Sequence, residues 1–199
     1  MHWAVEELLT RMDPPPSGGD AVDWDEVRSA GGLLLPTDYR DFVAHYGGGA
    51  MDDFLCVFTP PVEGSAYNML LVDAAFTGEY ASEYAAACPD APPGGLLRWG
   101  SSSTADSVFW RCGSPDPEQW TTVVSRRQHS YGESPWLEFD CGMAEFLVKL
   151  VRGELPNPFG QSGFPDPRPT YLGWREEAAE TGDFDGAWGE TGNWPYGPL

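Results

Sequence analysis

One segment, from Leu35 to Gly49, combines a helix start, an apolar stripe and a glycine stop. Pro36 suits the first helical turn, where its missing N–H costs nothing, and Asp38 brings negative charge to the positive end of the helix dipole. Four apolar residues at i, i+3, i+4 and i+7 share one face, and they are Tyr39, Phe42, Val43 and Tyr46. Gly47 suits the left-handed conformation that ends a helix. The segment therefore predicts a helix docked on a core through one face.

Apolar periodicity predicts further helices on both sides of a run of strands. An N-terminal helix is predicted from the spacing of Val5, Leu8, Leu9 and Met12. The Pro/Gly-rich stretch 13–19 ends it in a flexible connector, so we expect this helix to dock loosely. Two more helices are predicted over 68–87 and from Met143 to Val151, the latter capped by Asp140. Strands are predicted at 53–59, 96–99, 108–112, 121–126 and 136–139. This order indicates an α+β fold.

The charge of the chain restricts its partners. In 199 residues there are 31 acidic and 11 basic side chains, which give a formal net charge of −20. Such a surface repels phosphate backbones and anionic membranes, so we expect no direct contact with nucleic acid or membrane. The sequence contains no apolar run near the roughly 20 residues that span a bilayer, and it begins without a basic region followed by an apolar one. A cytoplasmic location is therefore expected.

Motifs for catalysis and metal binding are missing from the sequence. It contains no G-x-S-x-G, P-loop, G-x-G-x-x-G or H-E-x-x-H pattern. The nearest approach, Gly160-Gln161-Ser162-Gly163, lies in a Pro/Gly-rich stretch, without the strand-to-helix turn that exposes a nucleophile. Three isolated histidines favour structural or surface roles, and they are His2, His45 and His129. Four cysteines without a C-x-x-C pair are predicted to be buried free thiols, and they are Cys56, Cys88, Cys112 and Cys141. We therefore predict no catalytic residue, cofactor or metal.

Two acidic pairs are the candidates for contact with a protein partner. Asp52 and Asp53 follow the glycine stop at the start of a predicted strand, where adjacent side chains point to opposite faces and do not easily share a metal ion. Glu79 and Glu83 lie at i and i+4 on the helix predicted over 68–87. This like-charge pair is mildly unfavourable alone and becomes favourable beside a cationic partner. An ordinary solvated surface is the alternative for both pairs.

Aromatic residues supply two further features. Tryptophans fall among the predicted strands at Trp99, Trp110, Trp120 and Trp136. Packing of a half-buried sheet against helices is the favoured interpretation, and an aromatic ligand pocket stays open as the alternative. The stretch 154–199 is rich in Pro and Gly but carries aromatic residues from Phe159 to Tyr196. We expect it to wrap back over an apolar face or sheet edge, with an arm that contacts a partner as the alternative.

The order of these motifs resembles the SUKH superfamily, the Smi/Knr type of domain. The signature is carried by Trp24, Leu35-Pro36 with Tyr39 and Phe42, Tyr46-Gly47-Gly48, and a strand that ends at Pro60. Later motifs recur in similar order, and they are Leu97-Arg98-Trp99-Gly100, Asp106 with Phe109-Trp110, Asp116-Pro117 with Trp120, Val123-Val124, and Glu145-Phe146-Leu147. The resemblance covers about residues 20–153. One departure is Ala105, which stands where a turn glycine is expected.

The resemblance implies a single SUKH-like domain over 20–153, with a mixed, mostly antiparallel sheet packed with helices. Residues 1–19 would form an N-terminal helix and linker, and residues 154–199 an acidic, aromatic extension. Bacterial members of the superfamily bind and neutralise toxins, often nucleases, and a nuclease presents a basic cleft that an anionic protein fits. We therefore expect a non-enzymatic immunity or antitoxin protein that binds a basic toxin domain. The alternatives are a regulatory scaffold, as in the fungal branch, and a small-molecule binder or enzyme that uses an aromatic sheet pocket.

Overall fold

Six helices and seven strands are found in the described residues of the computed structural model, which are 1–32, 34–70, 74–88 and 95–181. The helices are α1 (Trp3–Leu9), α2 (Trp24–Gly31), α3 (Thr37–Tyr46), α4 (Ala74–Ala87), α5 (Met143–Val151) and α6 (Trp174–Thr181). The strands are β1 (Gly49–Met51), β2 (Leu55–Val57), β3 (Leu96–Ser102), β4 (Ser107–Arg111), β5 (Thr121–Ser125), β6 (Trp136–Phe139) and β7 (Tyr171–Gly173). A short 3₁₀ turn, Pro117–Gln119, precedes β5. Within these ranges, no helix combines the length and apolar character that crossing a bilayer requires.

The strands form one sheet in the order β6-β5-β4-β3-β2-β1-β7. The predicted α+β class is confirmed. Each neighbouring pair is antiparallel, so the described sheet is antiparallel throughout rather than mixed. The register of β3 against β4 shifts between Arg98 and Gly100. A Cβ atom at Gly100 would lie 2.5 Å from the carbonyl oxygen of Cys56, so only glycine allows β2 and β3 to approach this closely.

Helices α1, α3 and α5 pack together on one face of the sheet. The docked helix predicted after Leu35 is confirmed, because its four apolar stripe residues are fully buried: Tyr39, Phe42, Val43 and Tyr46. Gly47 ends α3 as predicted, but its φ of 68° and ψ of −166° differ from the left-handed helical conformation that the sequence predicts. The stripe of α5 is buried as well at Met143, Phe146, Leu147 and Leu150. The helical periodicity of the sequence therefore reflects one shared core.

Helix α1 belongs to this core, and the expectation that it docks loosely is wrong. Val5 and Leu8 are fully buried, and α1 contacts both α5 and α3. The connector that follows is held too, because the hydroxyl of Tyr46 donates a hydrogen bond of 2.7 Å to the carbonyl of Met12. Proline and glycine end the helix without releasing the chain from the core.

The cap of α5 also differs from the prediction. The helix begins at Met143 after Gly142, so Asp140 lies too early in the chain to act as its N-cap. Asp38, from the first turn of α3, accepts a hydrogen bond of 2.9 Å from the N–H of Ala144. A buried carboxylate from another helix thus satisfies the first turn of α5.

Helix α4 covers the opposite face of the sheet over β3 to β6. Tyr84 is buried there in a small apolar cluster with Leu96, Phe109, Val123 and Trp136. The helix coincides with the C-terminal part of the helix predicted over 68–87. Residues 71–73 and Pro89, which belong to that prediction, lie outside the described residues.

The C-terminal segment wraps back over the domain as far as residue 181. Phe159 and Phe164 are buried against Phe54, with ring centroids 5.6 and 4.6 Å from it. Strand β7 pairs with β1 and so adds an edge strand that the sequence interpretation lacks. This part of the extension covers an apolar face and a sheet edge, as predicted. Four aromatic residues of the prediction lie outside the described residues, and they are Phe184, Trp188, Trp194 and Tyr196.

Asp20, which precedes α2, links the glycine stop after α3 to the start of α6. Its side chain is fully buried and accepts hydrogen bonds of 2.8 Å from the N–H of Gly48 and 3.0 Å from Nε1 of Trp174. Arg175 pairs with the same carboxylate at 2.8 Å. The three partners compensate the burial of the charge, which is otherwise costly.

Candidate functional site

Asp52 and Asp53 form the tight turn between β1 and β2 rather than the start of a strand. Both residues are left-handed, with φ of 52° and 50°, and the N–H of Phe54 donates a 3.0 Å hydrogen bond to the carbonyl of Met51. Aspartate tolerates this conformation better than most side chains because its short carboxylate bonds nearby backbone groups. The predicted strand over 53–59 is therefore shorter than expected and begins at Leu55.

The carboxylate of Asp52 holds the C-terminal segment. It accepts hydrogen bonds of 2.9 Å from the N–H of Asp166 and 2.8 Å from the N–H of Thr170. These bonds fix the chain just before β7 begins. Asp53 is exposed, so of the two aspartates it is the one whose carboxylate faces solvent.

Glu79 and Glu83 lie one turn apart on α4, and both are exposed. The structure therefore separates the four predicted acids into two places. One pair lies on the β1–β2 turn, next to the edge formed by β7, and the other lies on the helix that covers β3 to β6. A partner that uses both pairs must contact two different elements of the molecule.

Two of the three histidines have local structural partners. Nδ1 of His45 lies 2.8 Å from the carbonyl oxygen of Asp41 in the same helix. His2 caps α1, because its Nδ1 accepts a hydrogen bond of 3.3 Å from the N–H of Ala4. His129 is exposed on the loop between β5 and β6. The structural role predicted for His45 agrees with this geometry.

The four cysteines are free thiols, as predicted. Cys141 is buried, whereas Cys56, Cys88 and Cys112 are only partly buried. Burial raises the pKa of Cys112 to about 12 and that of Cys141 to about 11. A thiol with a raised pKa carries little thiolate at neutral pH and is a poor nucleophile. In the described part of the chain, no group of three or more His, Cys, Asp or Glu side chains is arranged to hold a metal ion.

The four tryptophans among the predicted strands pack in the apolar core, in agreement with the predicted packing of the sheet against helices. Trp99 and Trp110 are fully buried, whereas Trp120 and Trp136 are 8% and 6% exposed. Trp110 packs against Tyr39 of α3 with ring centroids 4.9 Å apart. Trp136 lies on the opposite face of the sheet, in the cluster beneath α4. The four rings therefore do not form one pocket.

Trp136 does line a cleft, which the sequence interpretation missed. This cleft has a volume of about 280 Å³ and lies where α4, the β3–β4 turn and the β5–β6 loop meet. We call it the basic cleft, after three of its lining residues, Arg126, Arg127 and His129. Its only signal in the sequence is the pair Arg126-Arg127, the one place where two basic residues are adjacent.

A buried carboxylate fixes one wall of the basic cleft. Asp106 accepts hydrogen bonds of 2.7 Å from the hydroxyl of Ser102 and 2.9 Å from that of Thr104. It also accepts a 2.9 Å hydrogen bond from the backbone N–H of Arg127. The β5–β6 loop is thus joined to the β3–β4 turn, and the backbone of Arg127 is held in place.

No protein-family model, curated protein or solved structure matches the chain. The likeness to SUKH domains accordingly stays a prediction from its motifs. An α+β architecture is shared by proteins of unrelated function, so the fold alone assigns no activity.

Proposed function

We propose that this chain is a non-enzymatic protein-binding module, an immunity or antitoxin protein of the SUKH type that binds and neutralises a basic toxin domain. The charge of the molecule is the observation that carries the proposal. Its 31 acidic side chains outnumber its 11 basic ones, so the chain carries a large excess of negative charge. A nuclease toxin is the best fit, because its active site attracts phosphate and therefore an anionic surface.

The exposed face of α4 is the proposed contact surface. Glu79 and Glu83 project from it, and the neighbouring exposed residues Ala85 and Ala86 are small enough for a partner to approach closely. Asp53, on the β1–β2 turn, is the second proposed contact. Asp52 stabilises that turn, because its carboxylate accepts hydrogen bonds from the N–H groups of Asp166 and Thr170.

The chemistry of the candidate nucleophiles supports a non-enzymatic role. Burial raises the pKa of the Cys112 and Cys141 thiols, and His45 is engaged by a carbonyl of its own helix. A regulatory scaffold would use the same surfaces and differs from an immunity protein only in the identity of its partner. One observation, the basic cleft beside Trp136, favours a small-molecule ligand in addition.

Association kinetics test the proposal, with the product of the adjacent reading frame as the partner. We expect association to slow steeply as salt rises, because attraction between exposed charges is screened beyond about 8 Å at physiological ionic strength. The double variant Glu79→Lys/Glu83→Lys should slow association by about tenfold or more, with a much smaller change in the dissociation rate.

A matched control separates the contact surface from net charge. Asp13→Lys/Glu63→Lys makes the same change of charge at two exposed residues outside α4. We expect it to slow association no more than about twofold. An equal effect of the two double variants would remove α4 from the interface, and absence of binding at both low and high salt would contradict the immunity function.

A further inference from the structure

The basic cleft concentrates positive charge in a molecule whose formal net charge is −20. Two guanidinium groups, of Arg126 and Arg127, and the imidazole of His129 line it together. Glu83 is the one carboxylate among the lining residues. Glu83, together with Glu133, which pairs with Arg126 at 3.5 Å, offsets part of this positive charge, and Arg127 is the cation that can attract an anionic ligand.

Both guanidinium groups retain the capacity to donate hydrogen bonds. Arg127 is held through its backbone N–H, and no ion pair of its side chain is found among the described residues. Nη2 of Arg126 donates to the carbonyl of Ser134 at 2.6 Å and pairs with the carboxylate of Glu133 at 3.5 Å, so this side chain is partly engaged. The guanidinium group of Arg127 is therefore the main donor to an anion in the cleft.

Two aromatic rings form the apolar part of the cleft. Tyr80 and Trp136 both line it, with centroids 6.1 Å apart and planes at 88° to each other. A volume of about 280 Å³ is at the lower end of ligand pockets. The site therefore fits a small ligand with one planar apolar ring and one anionic group.

We infer that the basic cleft binds a small aromatic phosphomonoester. The phosphate lies against Arg127, Arg126 and His129, because the planar guanidinium fork matches phosphate oxygens in a bidentate manner. The ring of the ligand packs beside Trp136 and Tyr80. This inference does not rest on the proposed contact with a toxin, although Glu83 of α4 belongs to both places.

Glu83 lines the cleft, and its carboxylate repels an anionic ligand there, so a substitution of Glu83 tests the inference. Removal of that charge in Glu83→Gln should tighten phosphomonoester binding by about twofold to threefold, the scale of an exposed charge pair. The same residue is proposed to attract a basic protein partner. One substitution should therefore change the two binding events in opposite directions.

Nuclear magnetic resonance titration of the ¹⁵N-labelled full chain with phenyl phosphate is the direct experiment. We expect saturable shifts of backbone amides in the 125–136 region, with inorganic phosphate as a weaker competitor. Arg127→Gln keeps the backbone N–H that Asp106 accepts and should weaken binding by about tenfold, the loss of one charge-assisted hydrogen bond. Arg168→Gln, at an exposed arginine of the C-terminal segment, is the matched control and should leave binding unchanged.

Three results would overturn the inference. The first is absence of saturable shifts with phenyl phosphate, and the second is equal weakening by Arg127→Gln and Arg168→Gln. The third is binding of benzoate as tight as that of phenyl phosphate, because a carboxylate carries one charge where a phosphomonoester approaches two. Thermal melts of every variant establish that the fold is retained, and a folded Arg127→Gln variant with unchanged affinity also contradicts the site.

Discussion

Ala105 occupies a backbone position that suits glycine, and this lowers the stability of the folded state. It lies in the turn between β3 and β4 with a φ of 65°, where L-residues with a Cβ are strained. The motif resemblance noted in the sequence predicts a glycine at the same position. The turn has left-handed geometry at an alanine instead, at a cost in stability.

Ala105→Gly is expected to raise the free energy of unfolding by about 0.5–1 kcal/mol. Relief of left-handed strain, about 1–2 kcal/mol, exceeds the backbone entropy that a glycine loses on folding. Urea denaturation measures the change. Ala44→Gly, on the exposed side of α3, is the control with the opposite sign, since glycine within a helix is destabilising by a similar amount. A loss of stability in Ala105→Gly would contradict the strain.

The raised pKa of the partly buried Cys112 thiol leads to a prediction about pH. Burial raises the pKa of Cys112 from its ordinary value of 9.0 to about 12, so its thiolate fraction at pH 8 is near one in ten thousand. Alkylation of folded Cys112 by iodoacetamide should be roughly a thousandfold slower than that of a free thiol and should accelerate with rising pH. Mass spectrometry after a timed reaction measures the rate at each cysteine.

Unfolding in urea provides the comparison for the same thiol. Once burial is lost, the pKa of Cys112 returns to the ordinary range and the residue should react like free cysteine. Because the folded state binds more protons above about pH 9, the contribution of this group to stability falls as pH rises through that range. Fast alkylation of the folded protein at pH 8 would show that Cys112 is not protected.

At the scale of elements, α3 and α5 depend on each other through one carboxylate. Asp38 accepts hydrogen bonds from the N–H of Ala144 at 2.9 Å and from the N–H of Tyr39 at 2.7 Å. Burial raises the pKa of Asp38, and the hydrogen bond from Ala144 opposes that rise. The charge is thus kept in the core by the two helix ends that it serves.

Asp38→Ala should lower the free energy of unfolding by about 1–3 kcal/mol, because the N–H groups at the start of α5 lose their acceptor. Asp140→Ala removes the cap that the sequence predicts, but Asp140 is exposed and α5 begins three residues later. We expect that control to change stability by less than about 0.5 kcal/mol. Chemical denaturation measures the free energy of unfolding of both variants. An equal loss in the two would indicate that Asp140 caps α5.

At the scale of the whole molecule, the C-terminal segment is a structural part of the domain. A chain ending at residue 153 lacks β7 and the aromatic residues that cover the core, which are Phe159, Phe164 and Tyr171. It also lacks Arg175, which leaves the buried charge of Asp20 without its cation. Each buried aromatic is worth about 3–5 kcal/mol on truncation, so the loss of three is comparable with the usual stability of a domain, about 5–15 kcal/mol.

A chain ending at residue 153 is therefore expected not to fold cooperatively. A chain ending at residue 181 retains every described contact and should give a cooperative thermal transition, measured by circular dichroism. The shorter truncation consequently tests folding rather than partner binding. A cooperative transition of the 1–153 chain at the temperature of the full chain would contradict the structural role of the segment.

The sequence predicts those parts of the fold that are specified locally. Helices α3 and α5 and strands β3 to β6 follow from apolar spacing and turn residues. Strand β7 does not, because three residues in a Pro/Gly-rich stretch acquire their register only by pairing with β1. The left-handed turn at Asp52-Asp53 lacks the glycine or asparagine that signals such turns. The basic cleft draws its lining from α4, a turn and a loop, and no local pattern indicates that these three converge.

The position of β7 beside β1 has a consequence for synthesis of the chain on the ribosome. Strand β1 ends at Met51, whereas its partner begins at Tyr171, so the two are made far apart in time. At about 5–20 residues per second, β1 waits roughly 6–24 s for the strand that completes its edge. During that interval β1 and Asp20 lack the partners that the C-terminal segment supplies in the folded domain, which are β7, Trp174 and Arg175. Completion of the sheet is accordingly a late event that follows translation of nearly the whole described chain.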